Sequence, residues 1–337
     1  MATRKLNLVN FMPEACALDT LTATGNTELL EKLKALRANI ESVFIGKPDT
    51  VTDLMIGLLA RGHVLIEDVP GVGKTVLARA LSRSIDCRFS RVQLTPDLLP
   101  SDILGISVYN DKSGLFEFKR GPVFANIVLA DEINRTTPRT QSALLEVMNE
   151  NQVSVDGKPI AVEQPFMVIA TQNPFEFEGT YLLPENQLDR FILRLRIGYP
   201  SREDERRILR DQPDRAPLDN LRPVMEAVDV VRLQSLTEQV RVDEALLDYL
   251  QDIVQATRQH DSLEVGVSPR GALAMMRAAR ASAVLAGREY AVPDDIKGLA
   301  CSVFAHRLVN KSYLRDGRAA SDDQILRDIL ETIPVPA

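Results

Sequence analysis

The sequence predicts an α/β fold, a parallel sheet flanked by helices, followed by an all-helical domain. Three observations carry this. Short apolar runs alternate with helical periodicity between His63 and Pro200, the pattern of a parallel sheet covered on both faces. The first apolar run leads directly into a Gly-rich turn and a helix, Asp68-Val-Pro-Gly-Val-Gly-Lys-Thr75. From residue 200 onward, apolar residues recur at helical spacing.

Residues 1–26 show no clear periodicity and read as an arm without the continuous apolar core of a signal peptide. From Thr27, the residues Leu29, Leu33, Leu36, Ile40 and Val43 form one helical stripe, ended by Gly46 and Pro48. A second helix carries Val51, Leu54, Met55, Leu58 and Leu59 and stops at Gly62. Buried strands are expected at His63–Asp68, Phe89–Leu94, Asn126–Ala130, Phe166–Thr171 and Phe191–Ile197, with helices at Thr75–Ile85 and Thr140–Asn151. Two segments interrupt this alternation. Val108–Lys119 reads as an insert turning at Asp111–Gly114, and Gln152–Pro165 as a hairpin turning at Asp156-Gly157. Helices are then expected at Ser201–Asp211, Val231–Gln239, Asp243–His260, Ser268–Gly287, Pro293–Val309 and Ser321–Glu331. The expected organisation is an arm over 1–26, an α/β core over 27–199 and an all-helical domain over 200–337.

Composition narrows the function. With 40 basic and 47 acidic residues the net charge is −7. Residues 1–200 hold 21 basic and 24 acidic side chains and residues 201–337 hold 19 and 23, so neither half carries a basic nucleic-acid footprint. Trp is absent and aromatics are 5%, leaving little material for stacking bases. The three cysteines and three histidines are scattered, without metal-ligand spacing. No apolar run is long enough to span a membrane. A cytoplasmic location is the resulting expectation.

The turn after the first strand has the build of a phosphate cradle. Its glycines let backbone N–H groups close around phosphate oxygens, and the helix N-terminus adds partial positive charge. Lys74 can reach the β- and γ-phosphates, and the Thr75 hydroxyl can ligate Mg²⁺. The general pattern begins with Gly six residues before the lysine, where this chain has Asp68. The run Ile127-Val-Leu-Ala-Asp-Glu132 ends a buried strand in two carboxylates. Asp131 suits Mg²⁺, and Glu132 suits a base that deprotonates attacking water, which favours hydrolysis over kinase-type transfer. Asn173, at the end of the next apolar strand, can bond the γ-phosphate or that water. Arg190 can reach a phosphate across a subunit interface; the other reading is a salt bridge to Asp189 or Glu185. Ser268-Pro-Arg270 places a cation at a helix start, where the dipole disfavours it; an anionic partner or simple solvation would account for it.

These residues resemble the MoxR family of AAA+ ATPases. The resemblance rests on Phe44-Ile-Gly46, Glu67 through Thr75, Leu94 through Asp102, Gly121-Pro-Val-Phe124, Ala130 through Arg135, Gln141 through Leu145, Leu183-Pro-Glu185, Gln187 through Phe191 and Ser268-Pro-Arg270. Asp68 is similar to a common variant within that family. The resemblance implies a AAA+ P-loop core with a five-stranded parallel sheet in the order 5-1-4-3-2, and an all-α lid. It implies ATP/ADP binding with Mg²⁺ in a homo-oligomeric ring, usually a hexamer. It also implies chaperone-like remodelling, including metal insertion into client enzyme complexes, often beside a von Willebrand factor A domain protein. The relatives include the ATPase subunits of chelatases. By position, Gly71, Val72, Gly73, Lys74 and Thr75 bind phosphate, Pro70 and Val76 belong to the nucleotide-binding set around them, and Thr75 and Asp131 hold Mg²⁺. Glu132 is the base, Asn173 sensor 1, Arg190 the finger and Arg270 sensor 2, while Phe44, Ile45 and Gly46 line the adenine pocket. Arg135 and Arg139 stand as other candidates for the finger. Both inserts would face the ring's pore or axial surface. The alternative on the same fold is a nucleic-acid motor or clamp loader, which the acidic charge of both halves opposes.

Overall fold

The computed structural model describes residues 24–155, 157–174, 179–211, 216–311 and 321–336. Most of the arm expected over 1–26 lies outside the described residues.

Two helices come first, α1 (Thr24–Val43) and α2 (Pro48–Leu59). The core then alternates as β1 (Val64–Glu67), α3 (Lys74–Ser84), β2 (Ile85–Asp86), β3 (Phe89–Gln93) and α4 (Pro100–Leu104). A hairpin of β4 (Gly105–Asn110) and β5 (Leu115–Arg120) follows, then β6 (Ile127–Asp131) and α5 (Pro138–Glu150). A second hairpin, β7 (Gln152–Val155) and β8 (Lys158–Ala161), precedes β9 (Met167–Gln172), α6 (Glu185–Leu188) and β10 (Leu193–Leu195).

The main sheet has the order β10-β1-β9-β6-β3, all parallel. Counting only its own strands, that is 5-1-4-3-2, as expected. Residues alternate across it: Val64 and Ile66 enter one buried cluster with Leu54, Leu77, Leu129 and Leu193, while Leu65 enters the other with Val128, Val168, Leu144 and Phe191. Covered on both faces, the central strands need apolar residues at nearly every position, which is why they read as continuous runs.

Beyond residue 200 come α7 (Arg202–Asp211), α8 (Ala216–Asn220), β11 (Met225–Glu226), α9 (Ala227–Gln239), α10 (Glu244–Gln259) and β12 (Leu263–Val265). The chain continues through α11 (Pro269–Leu285), α12 (Pro293–Phe304), β13 (Val309–Asn310) and α13 (Asp322–Thr332). The first buried cluster runs on into these helices through Ile253, Met275, Ile296, Phe304 and Ile329. No described helix is long and apolar enough to cross a membrane.

Several details differ from the periodicity. The helical region also contains short strands: β11 pairs with β2, and β12 with β13. Pieces of two or three residues are too short to show an alternation. The helix expected to run to Val309 ends at Phe304 in a 3-10 turn, Ala305–Arg307. There the Arg307 guanidinium turns inward onto Asp189 Oδ1 at 2.7 Å and the Phe191 carbonyl at 2.6 Å. The last core strand is shorter than the apolar run, because the Ile197 and Gly198 N–H groups leave the ladder for Asp68. Both inserts are hairpins. The turn expected at Asp156-Gly157 falls between Val155 and Lys158, which are paired; Asp156 itself is outside the described residues. In the first hairpin Phe118 packs edge-on against Phe124 at 5.7 Å, whereas Phe116 is 72% exposed.

Asp53 on α2 gives a pH test of the packing between α2 and α12. Its Oδ2 accepts from Ser302 Oγ at 3.0 Å. Burial pushes its carboxyl up to about 6; nearby Asp49 adds to this and the Ser302 hydrogen bond opposes it. Between the ordinary value of 3.8 and about 6, the folded chain therefore binds more protons than the unfolded one. This group's contribution to stability falls as pH rises through that window. Asp53→Asn keeps an acceptor for Ser302 and should raise the melting temperature at about pH 7.5, but not near pH 4. Melting curves of both proteins at the two pH values check this; equal shifts at both would contradict it.

Candidate nucleotide site

The carboxyl ends of β1, β6, β9 and β3 converge on one cleft, as parallel sheets arrange their ligand sites. Its volume is about 370 Å³. The loop after β1 forms one wall. Gly71 (φ 88°) and Gly73 (φ 90°) both take left-handed backbone that a side chain would strain. A Cβ on Gly73 would also stand 3.2 Å from the Phe44 ring. With Gly73 as cap, α3 starts at Lys74 and presents its N-terminus to the cleft.

Asp68 explains why this loop lacks the first glycine of the general pattern. The residue is 8% exposed. Its Oδ1 accepts from Val69 N at 2.8 Å, and its Oδ2 accepts from Ile197 N at 2.7 Å and Gly198 N at 2.6 Å. The carboxylate thus clips the phosphate loop to the segment leading into the lid. Its carbonyl accepts Lys74 Nζ at 2.5 Å, and the Gln172 carbonyl lies 3.5 Å from the same nitrogen. Partial burial lowers the Lys74 pKa, against the pull of Asp68, Asp131 and Glu132.

Opposite the loop stand the two carboxylates. Asp131 Oδ1 accepts from Thr171 Oγ1 at 2.6 Å, and Oδ2 from Arg91 Nη2 at 2.6 Å. Glu132 has a φ of 60°, uncommon for a residue with a side chain. Its N–H is anchored on Thr171 Oγ1 at 3.0 Å. Its Oε2 accepts from Gln93 Nε2 at 2.9 Å and pairs with Arg135 Nε at 3.1 Å. Strain of this kind costs about 1–3 kcal/mol and persists where surroundings enforce it; here it aims the carboxylate into the cleft.

Of the residues expected at the site, Pro70, Gly71, Gly73, Lys74, Thr75, Val76, Asp131, Glu132 and Asn173 all line this cleft. Phe44, Ile45 and Val72 line a neighbouring apolar recess of about 140 Å³, with Ile197, Gly198, Pro200 and Ile208. Its lining is mostly apolar, with Lys47 at its edge. Gly46 does not line it; its α-carbon backs onto α7, where a Cβ would meet Asp204 Oδ2 at 2.5 Å. Arg91, Gln93 and Thr171 also line the cleft, and no motif in the sequence points to them. The first two alternate on β3 beside β6, with Gln93 in register with Asp131. Strand order could have found them, since neighbouring strand ends share the cleft.

Arg190 and Arg270 are elsewhere. They line a second cleft of about 160 Å³ with Arg61, Arg277, Arg307 and Asp189. Arg190 Nη1 donates to the Leu145 carbonyl at 2.9 Å, and its buried Nε has no hydrogen-bond partner. Asp189 is not its salt-bridge partner: that carboxylate pairs with Arg307 at 2.7 Å and accepts from Ser268 Oγ at 3.2 Å. The same Ser268 oxygen caps α11 by accepting from Gly271 N at 3.1 Å, which fixes the helix start that carries Arg270. Burial brings Arg307 down to about 10; Asp189 opposes this, and the charges of Arg277 and Arg270 add to it. Five arginines around one carboxylate make a strongly cationic cleft. Of the other finger candidates, Arg135 contacts Glu132 of its own chain, and Arg139 is exposed in the first turn of α5.

Residues 63–193 match the ATPase family associated with various cellular activities (AAA), and residues 255–329 match the AAA lid domain. Fold and cleft together define an ATP hydrolase of the AAA class. The chain is 50% identical to YeaC of Bacillus subtilis, over 88% of this chain and 93% of that one. It is 40% identical to Chaperone MoxR1 of Mycobacterium tuberculosis, over 93% of this chain and 85% of that one. A solved structure from Cytophaga hutchinsonii, to which ATPase activity is ascribed, has a TM-score of 0.85 and 35% identity, covering 92% of this chain and 97% of that one. The chain belongs to the MoxR family of AAA+ ATPases.

Lys74→Ala should abolish nucleotide binding and leave the melting curve in place, because Lys74 contributes a half-buried cation to the cleft and belongs to neither buried apolar cluster. Nucleotide titration beside a thermal melt checks this. Unchanged ATP affinity would remove the loop from the phosphate site.

Proposed function

We propose that the protein is a Mg²⁺-dependent remodelling ATPase whose hydrolytic sites are completed between copies of the chain in a closed, hexameric ring. The observation behind this is the separation of the two clefts. The loop, Asp131 and Glu132 face one cleft, while Arg190 and Arg270 face another that holds five arginines and one carboxylate. A cationic cleft with an unpartnered buried Arg190 Nε suits an anion delivered from outside the chain, and a neighbour's γ-phosphate is such an anion.

The chemistry follows from the side chains. Lys74 and the N-terminus of α3 hold the β- and γ-phosphates. Thr75 and Asp131 offer the hard oxygen ligands that Mg²⁺ takes; bound there, the ion would offset charge on the phosphate oxygens. Glu132 accepts the proton of the attacking water, and Asn173 orients that water or the γ-phosphate. Arg190, with Arg270 beside it, stabilises charge on the phosphoryl group of the adjacent copy. The output is conformational work on a protein partner, an enzyme complex or its metal-insertion intermediate, with a von Willebrand factor A domain protein as adaptor. Chaperone naming of a relative and the acidic charge of both halves favour a protein client in the cytoplasm over nucleic acid.

Glu132→Gln should bind ATP normally and hydrolyse it about 10²–10⁴-fold more slowly, because the amide keeps the shape but cannot take the proton. Turnover within about twofold of wild type would place the base elsewhere. Arg190→Ala should likewise bind ATP without hydrolysing it. Mixed and allowed to exchange subunits, the two inactive proteins should regain activity, since some interfaces join an intact Glu132 to an intact Arg190. A finger is worth about 10³–10⁵ in rate, so the recovered signal should be clear. Mixtures as inactive as the parents would show that the two groups do not share a site.

A further inference from the structure

Arg194 lies in the middle of β10, and its side chain is only 10% exposed. It stands between two carboxylates from distant parts of the chain. Nη1 is 3.3 Å from Glu67 Oε2, and Nη2 donates to Asp323 Oδ1 at 3.2 Å. Arg196, two residues on and on the same face, doubles the link: Nη1 donates to Asp323 Oδ2 at 2.8 Å, and Nη2 is 3.8 Å from Glu67 Oε2.

The two carboxylates lead in opposite directions. Glu67 ends β1, immediately before Asp68 and the phosphate loop. Its Oε1 accepts Gln172 Nε2 at 2.5 Å, and Gln172 is its register partner at the end of β9. The next residue is Asn173, on the phosphate cleft. Asp323 is in the first turn of α13, which packs against α10 and α12 in the lid. Charge-assisted contacts therefore run unbroken from the last lid helix to the strand ends that carry the loop and Asn173.

Half-buried ion clusters contribute little net stability, because desolvation offsets attraction. What they supply is geometry: a planar guanidinium held by two carboxylates has a narrow range of positions. We infer that Arg194 is a positioning residue for ATP hydrolysis, transmitting the placement of α13 through Glu67 and Gln172 to Asn173. It does not line the phosphate cleft, so it acts through these partners. Lid displacement that pulls Asp323 away would free Arg194 and loosen the β1 and β9 ends together.

The test measures steady-state ATP turnover of the full chain. Asp323→Ala cuts the α13 end by removing the acceptor, and Gln172→Met cuts the Asn173 end, both leaving the Glu67–Arg194 pair in place. Each should lower kcat about tenfold, below the loss expected for a full ångström of misplacement. KM for ATP should stay within about twofold, because the phosphate ligands are intact. The double variant should be no slower than the worse single variant, since either cut breaks the same chain of contacts. Arg194→Met should match them, with Arg194→Lys recovering part of the rate. If Arg194→Met does not fold, the Asp323 and Gln172 pair decides. Wild-type kcat in either of those variants, a rise in KM alone, or losses that multiply in the double variant would each overturn the inference.

Discussion

The nucleotide site depends on one buried carboxylate. Beyond the end of the β1–β10 ladder, the Asp68 carboxylate joins the phosphate loop, through Val69, to the exit from β10, through Ile197 and Gly198, while its backbone carbonyl accepts Lys74 Nζ. Charge-assisted bonds to backbone N–H groups are stronger than neutral ones. Removing the acceptor would strand a buried donor at Ile197 and a half-buried one at Gly198. The same two residues line the apolar recess beside the loop. That side chain thus ties the phosphate loop to the apolar recess and to the segment that leads to α7.

Around that clip the cations are sorted. Arg91 and Arg135 stay with the carboxylates of their own cleft. Arg190, Arg270, Arg277 and Arg307 gather in the other cleft, where burial lowers the pKa of the last two and repulsion between the arginines adds to it. Like charges held this close are unfavourable in isolation. An anion arriving from outside would offset that repulsion, and this supports the proposal that the hydrolytic site is shared between copies of the chain.

Much of this was legible in the sequence, for identifiable reasons. The parallel strands announced themselves because burial on both faces forces near-continuous apolar residues. The loop and the Asp131-Glu132 pair were legible because phosphate chemistry restricts residue types at fixed spacing. Arg91, Gln93 and Thr171 were not, since their role arises from strand neighbours far apart in sequence. Nor was the position of Arg190 relative to Glu132, which depends on how α5, α6 and α11 pack. The ends of β10 and α12 depart from the periodicity because a side-chain acceptor, Asp68 or Asp189, draws the chain out of regular structure. Periodicity carries no trace of such competition.

The most direct measurement is nucleotide affinity and thermal stability of an Asp68→Gly protein. This substitution restores the first glycine of the general phosphate-loop pattern. If the pattern alone built the site, the variant would bind Mg-ATP as tightly as wild type or more so, with an unchanged melting temperature. A site clipped together by Asp68 should instead show weaker binding and a lower melting temperature, because glycine cannot hold Ile197 and Gly198 against the loop. Undiminished affinity together with an unchanged melting temperature would contradict the central role assigned to Asp68.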